Sequence, residues 1–476
     1  MKPLESNEIK LVKRIFRSIV IGIVASVMFF NVHSGGSAAF ALSLEEERIA
    51  GEKFAQSIRQ QFDVMDDAFV DGYINDLGHY LVRFLDTQPF PFRFYVINDE
   101  ILNAFAGPGG HIFIFSGLVI VMDNADELAA VLSHEMGHVA ARHLASRIEQ
   151  NSKIAIGTLL GMLAGALIGG PVAAAIMTGS MAAGIQKQLG YSRNDERQAD
   201  QLGFKYMDAS GFDPSGMIAV HKELEKGRFA GPNAVPEYLL THPGGPERMA
   251  NTEVMLSGYT RKPATPETEK YRKLFPYLKA ILIAKSMAPQ DAERLFGRDL
   301  ERNPRSTMAH FGLGIVLKER SEYAEAIDHF EKALKEQPDA LPILRHLGET
   351  YQLQGKDREA ITVFKSALEI DHLDKASLFL LGLSHQNLEE YDEAIRIYER
   401  LTSMEPVKNE VFYNLGLSYG RQNKLALAHY YFGVYFTRMR ELDKARFHFM
   451  TAGNLAAKDP ELRKRIQEAM GNKPSS

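Results

Sequence analysis

The stretch ADELAAVLSHEMGHVAARHL, Ala125 to Leu144, decides how this chain is read. Its alanines, leucines and valines predict an apolar helix from Ala125 to about Glu149. Within it stands His134-Glu135-Met136-Gly137-His138. Positions i and i+4 share one helix face, so His134 and His138 can chelate one cation. Imidazole is a good zinc ligand, and three protein ligands leave a fourth position for water. Glu135, beside the metal, is placed to take a proton from that water. The chain has no cysteine, which removes thiolate ligands, disulfides and a Cys nucleophile together.

A third ligand has to come from elsewhere. An extension of the motif by a later glycine and histidine would need Gly at 141 and His at 144, and these are Ala141 and Leu144. His143 lies off the chelating face and reads as an ordinary polar residue. The best candidate stands in Tyr191-Ser192-Arg193-Asn194-Asp195-Glu196-Arg197-Gln198-Ala199-Asp200. Glu196 and Asp200 are again i and i+4. Glu196 can ligate while Asp200 hydrogen-bonds a ligand histidine.

Upstream, residues 44–80 have helical periodicity. Phe90 to Asn98 reads as a strand, beginning just after Pro91 or lying at an edge. His111 to Phe115 reads as a second strand after the turn Gly107-Pro108-Gly109-Gly110, which lacks the Lys-Ser/Thr of a phosphate loop. An extended substrate is expected to pair with the edge of the His111–Phe115 strand.

Downstream, three columns repeat every 34 residues: Gly314, Gly348, Gly382, Gly416; Ala326, Ala360, Ala394, Ala428; and Phe330, Phe364, Tyr398, Phe432. This period with these residue types is the tetratricopeptide signature. Repeats are expected at 307–340, 341–374, 375–408 and 409–442, with the aromatic filling space between neighbouring hairpins. Ala292, Phe296 and Pro304 extend the frame to a degenerate repeat at 273–306, and Ala445, Phe449 and Ala452 mark a capping helix. Such arrays present a curved surface to protein partners.

The amino terminus has a basic region, an uncharged run from Ser18 to Val32 and an Ala39-Phe40-Ala41 site, the parts of a secretory signal peptide. An uncleaved anchor is the alternative. Residues 154–185 carry no charge and place Gly157, Gly161, Gly165 and Gly169 four apart. A membrane hairpin, a buried helix pair and a mobile lid all fit. A soluble apolar hairpin, able to touch membrane or substrate peripherally, is the favoured reading because alanine and glycine drive insertion weakly. Hydrophobic residues make up 45%, charged residues 24%, and the net charge is −5, so there is no basic footprint for nucleic acid.

Asn103-Ala104-Phe105-Ala106, HEMGH at 134–138, SRNDERQAD at 192–200, and Thr241-His242-Pro243 followed by Arg248 together resemble the zinc metalloprotease family that includes the CAAX prenyl protease and HtpX. The resemblance spans about residues 42–460. It implies one zinc per chain held by His134, His138 and Glu196, with Glu135 as the base and Asp200 and Arg248 in the catalytic set. Asn103, Ala104, Phe105, His111, Ile112 and Phe113 are the expected substrate-binding residues. For His242 two roles stay open. Neutral imidazole is a natural occupant of zinc's fourth position, where it would displace water and hold the enzyme off. In other family members the matching histidine and arginine are thought to steady the tetrahedral intermediate. The plug is the expectation adopted.

The expected architecture is mainly α: a signal peptide at 1–41, a zincin-like metalloprotease domain with a small β-sheet at 42–262, and an α-solenoid of tetratricopeptide repeats at 263–470. The resemblance implies a periplasmic endopeptidase, associated with the outer membrane, that promotes assembly of β-barrel proteins and degrades stalled ones. Its repeats would meet the β-barrel assembly machinery. The rival readings are a tetratricopeptide chaperone or scaffold with a mostly silent protease site, and a membrane-integral quality-control protease.

Overall fold

The computed structural model describes residues 42–150, 191–228 and 236–471, and divides the chain into two compact units that meet at Met287 and Ala288. The signal-peptide segment and the apolar stretch 154–185 lie outside the described residues. Among the described residues no helix is long and apolar enough to cross a membrane.

The first unit opens with α1 (Leu44–Gln61) and α2 (Ala68–Val82). The single periodic stretch 44–80 is thus two helices. Ser43 and Glu46 form a capping box at α1, and Asp67 accepts from the Phe69 and Val70 amides to start α2. Strands β1 (Arg93–Ile97), β2 (Ala104–Ala106) and β3 (His111–Phe115) follow. The sheet order is β1-β3-β2, with β1 parallel and β2 antiparallel to β3. Here the expectation for His111–Phe115 is corrected. That strand is central and both its edges are taken, so His111, Ile112 and Phe113 cannot receive a substrate strand. All five of its residues are buried. Phe113 packs on Phe105 at 5.0 Å between ring centroids, and both meet Phe54 of α1 edge-on.

Beyond the sheet come α3 (Ser116–Val121), α4 (Ala125–Ala140) and α5 (His143–Gln150). The helix expected to run unbroken to Glu149 stops at Ala140. Arg142 takes a left-handed φ of 52°, and its guanidinium is held by Glu47 at 2.9 Å and the Leu42 carbonyl at 2.7 Å. Then follow α6 (Arg193–Ser210), α7 (Gly216–Arg228), α8 (Glu237–Thr241), α9 (Gly245–Ser257) and α10 (Pro266–Ser286).

Helix α10 belongs to the first unit, past the boundary expected at 262/263. Tyr271 accepts from the Tyr73 hydroxyl at 2.8 Å and donates to the Asp76 carbonyl at 3.0 Å. Arg272 grips Asp126 at 2.7 Å, and Lys279 donates to the Met122 carbonyl at 2.7 Å. The degenerate repeat expected at 273–306 is therefore split between the two units.

The second unit is a helical solenoid. It begins with α11 (Pro289–Arg302). Four hairpins follow: α12 (Thr307–Glu319) with α13 (Tyr323–Glu336), α14 (Leu341–Leu353) with α15 (Asp357–Ile370), α16 (Lys375–Asn387) with α17 (Tyr391–Thr402), and α18 (Asn409–Arg421) with α19 (Leu425–Arg438). Helices α20 (Leu442–Leu455) and α21 (Pro460–Ala469) close it. Each column aromatic sits on the glycine of its own repeat, and Phe330, Phe364 and Tyr398 also pack toward the next hairpin, as expected. A Cβ on Gly314, Gly348, Gly382 or Gly416 would lie 2.4–2.9 Å from the ring of Phe330, Phe364, Tyr398 or Phe432.

Candidate metal centre

Helices α4 and α6 build the site because both carry a glycine where they cross. A Cβ on Gly137 would meet the Ala199 carbonyl oxygen at 2.9 Å, and one on Gly203 would lie 3.2 Å from the His134 nitrogen. The two backbones can therefore approach closely. That approach lays the Glu196/Asp200 face of α6 against the His134/His138 face of α4. Asn124 caps α4, and Ser192 with Asp195 forms a capping box on α6, so both helices start at defined places.

Ligand atoms of His134, His138, Glu196 and His242 all lie within 4.8 Å of one another, and all four residues are buried. The Nε2 atoms of His134 and His138 are 3.0 Å apart. Glu196 Oε2 is 3.4 Å from His134 Nε2, and Glu196 Oε1 is 3.5 Å from His138 Nε2. His242 Nδ1 is 3.3 Å from His134 Nε2 and 3.1 Å from Glu196 Oε1.

His242 follows α8 directly. Its ring stacks on Tyr238 at 4.4 Å, its amide donates to the Tyr238 carbonyl at 2.8 Å, and the Tyr191 amide donates to the Thr241 carbonyl at 3.2 Å. Tyr238 in turn donates its amide to the Leu102 carbonyl at 3.2 Å, beside Asn103. Asn103, Ala104 and Phe105 are buried, the last two on β2, an edge strand.

Around these ligand candidates lies a charged support. Asp200 Oδ1 is 2.9 Å from His134 Nδ1. Arg248, from α9, donates to both Asp200 oxygens at 2.8 and 2.7 Å, and its Nη1 lies 2.8 Å from Glu196 Oε2. Burial alone would raise both carboxyls, but the guanidinium and the histidines hold Glu196 and Asp200 below the usual carboxylate range. Tyr191 stacks on His138 at 3.8 Å, with the Arg147 guanidinium 4.5 Å from the Tyr191 ring centroid.

Sequence reasoning set His143 aside. The structure buries it and places its Nδ1 2.9 Å from His138 Nδ1. On an unbroken helix residue i+5 lies about 140° around the axis from residue i. The break at Arg142 is what turns His143 back.

These residues fit a divalent cation. Among the described residues both Glu135 oxygens are buried without a hydrogen-bond partner, as is His242 Nε2, which lies 3.5 Å from Glu135 Oε1. Buried orphans of this kind are expensive unless a bound ion or water completes them. Three imidazoles and a carboxylate form a donor set with borderline-soft character, suited to a first-row metal.

A helix carrying His134, Glu135 and His138, crossed by a second helix that brings Glu196, is the ligand arrangement of a metallopeptidase. Residues 69–255 match peptidase family M48, and residues 304–372 and 379–433 match tetratricopeptide repeats, so the chain carries an M48 peptidase domain followed by a repeat solenoid. It is 29% identical over 343 residues to the beta-barrel assembly-enhancing protease of Yersinia pestis, covering 70% of this chain and 69% of that one. It is 28% identical over 405 residues to the protein of that name in Escherichia coli strain K12, covering 82% and 81%. The mitochondrial metalloendopeptidase OMA1 of Arabidopsis thaliana is 34% identical over 163 residues, covering 34% of this chain and 31% of that protein.

Proposed function

We propose that this chain is a periplasmic zinc endopeptidase that assists assembly of outer-membrane β-barrel proteins and degrades those that stall, with His242 holding it off at rest. The observation that carries the reading is the convergence of His134, His138, Glu196 and His242 on one buried point beside the buried carboxylate of Glu135. His134, His138 and Glu196 would hold the metal. When bound, zinc supplies a Lewis acid for the scissile carbonyl and lowers the pKa of water. Glu135 takes the proton of the attacking water and passes it to the leaving amine. Asp200 orients His134, and Arg248 orients Asp200. An extended, unfolded segment would add to the sheet at β2, whose Ala104–Ala106 edge faces away from β3.

The reading for His242 rests on its Nδ1. That atom stands among the other ligand atoms, where a fourth ligand belongs. A histidine that only steadied an intermediate would stand back from them. The assembly role draws on the relatives named above and on the solenoid, which would recruit the β-barrel assembly machinery. Export through residues 1–41 would set it in the periplasm.

Zinc content and casein cleavage test the chemistry. Glu135→Gln should keep the metal and lose proteolysis, whereas His134→Ala should lose both. Wild-type cleavage by Glu135→Gln would overturn the mechanism. Recovery of outer-membrane components on the immobilised solenoid from an envelope extract tests the partner reading.

A further inference from the structure

We infer that His143 and Gln198 form a neutral relay that fixes the tautomer and aim of His138, making His143 a positioning residue for the metal. The inference rests on the proposed reading of His138 as a ligand through Nε2. His138 Nδ1 and His143 Nδ1 are 2.9 Å apart, and His143 Nε2 is 3.1 Å from Gln198 Oε1.

Two nitrogens at that distance must share one proton, because two lone pairs or two N–H groups would repel. Ligation through Nε2 leaves the proton of neutral His138 on Nδ1. His138 then donates to His143 Nδ1, which must carry a lone pair. The His143 proton is thereby confined to Nε2, where the Gln198 carbonyl oxygen accepts it. Each link leaves one arrangement for the next.

The two ligand histidines are thus backed in different ways. His134 leans on a carboxylate, Asp200 at 2.9 Å, which is itself neutralised by Arg248. His138 leans on an uncharged imidazole. The difference fits the charge of the site. Glu135, Glu196 and Asp200 are buried there, and Arg248 bridges two of them. A carboxylate behind His138 would add another buried negative charge, which is costly to desolvate. An imidazole orients the ligand without that cost. Asp195 is the nearest acidic group to His143, with Oδ1 4.0 Å from Nε2, and it is already engaged by Arg147 at 3.0 Å. The relay depends on the left-handed turn at Arg142, since only that break returns His143 to the ligand.

The test is zinc affinity of the full chain by chelator competition, together with the visible spectrum of the cobalt-substituted protein. Loss of such a supporting partner weakens metal binding by roughly 10- to 100-fold. His143→Leu should show that loss and an altered cobalt spectrum. His143→Asn, whose amide oxygen can stand where Nδ1 stood, should restore most of the affinity. Gln198→Leu, at an exposed end of the relay where folding is not at risk, should show a smaller loss in the same direction. If His143→Leu, folded by circular dichroism, binds zinc as tightly as wild type, the relay is refuted. If His143→Asn is as weak as His143→Leu, the residue merely fills space and the relay is refuted too. Absence of metal from the wild type would instead sink the ligand reading beneath it, a distinguishable failure.

Discussion

Replacing Arg248 by leucine should destabilise the metal-free protein far more than the zinc-loaded one. Arg248 is buried and bridges two buried carboxylates: two hydrogen bonds to Asp200 and a 2.8 Å ion pair with Glu196. Removing one partner of a buried pair costs about 3–5 kcal/mol, because the remaining charge is stranded. Without metal, Glu196 keeps only imidazole neighbours and Asp200 keeps only His134. On the proposed reading a bound metal gives Glu196 a cation as partner, so the stranded charge falls to that of Asp200 and the loss to about half. Urea unfolding of wild type and Arg248→Leu, each in excess chelator and in saturating zinc, measures the four free energies. A variant that folds only with zinc present is the extreme form of the same result. Equal losses in the two conditions would refute the reasoning, since the carboxylates would then not depend on the guanidinium for their charge balance.

His242→Ala should raise basal cleavage of an unfolded substrate and self-cleavage; a slower variant would favour the intermediate-steadying role. Gly382→Ala should cost about 1–3 kcal/mol by overpacking, because its new Cβ would lie 2.6 Å from the buried Tyr398 ring. Gly453→Ala, with nothing within 4 Å, should stabilise by roughly 0.5–1 kcal/mol, and thermal melts of the two compare them directly. The solenoid should weaken in acid. Burial, and for His329 and His448 also a histidine neighbour 2.9 or 3.0 Å away, holds His329, His429 and His448 below the usual histidine range. The unfolded chain therefore binds the proton first. The stability tied to these groups is complete above about pH 6.5 and is lost as pH falls toward the folded values. His329→Asn with His429→Asn should flatten the loss of the urea midpoint between pH 7 and 5.5; an unchanged slope would contradict it.

The solenoid was legible because its packing uses residue identity. Gly382 is glycine because a tyrosine ring occupies its Cβ position, and the same contact recurs every 34 residues. Its turns were not legible. Ser321, Gly355, Glu389 and Asn423 are also 34 apart, and all have positive φ of 59–76°. Only one is glycine, so no composition signal marks the column, and each of the others bears the strain of that conformation. In the first unit, helical spacing made His134, His138, Glu196 and Asp200 readable as two pairs. Nothing in Ala140-Ala141-Arg142 announces the helix break, so the buried contact of His143 with His138 Nδ1 is not legible in the sequence. The place of β3 was misjudged although a cue existed: His111-Ile112-Phe113-Ile114-Phe115 does not alternate with polar residues, as a strand covered on both faces should not.

The way each ligand candidate is attached bears on which of them can move. His134 and His138 lie on α4, and Glu196 lies on α6. These helices interlock at Gly137 and Gly203, so displacing any of the three means prising apart a close-packed crossing. His242 is attached differently. It follows a helix of five residues and sits at φ −119°, ψ 78°, outside helical geometry. Ring contacts with Tyr238, Tyr191, His134 and His138, the polar contacts of Nδ1 with His134 and Glu196, its own amide bond to Tyr238 and the neighbouring Tyr191–Thr241 bond hold it there. Leaving the cluster would break local contacts, each worth about 1 kcal/mol, and would leave the helix crossing intact. On the proposed reading, the residue that blocks the fourth position is also the one whose withdrawal disturbs the site least. Glu135 Oε1, 3.5 Å from His242 Nε2, would then face the vacated position, where the attacking water must lie. A plug built this way releases the base and the water position in one movement.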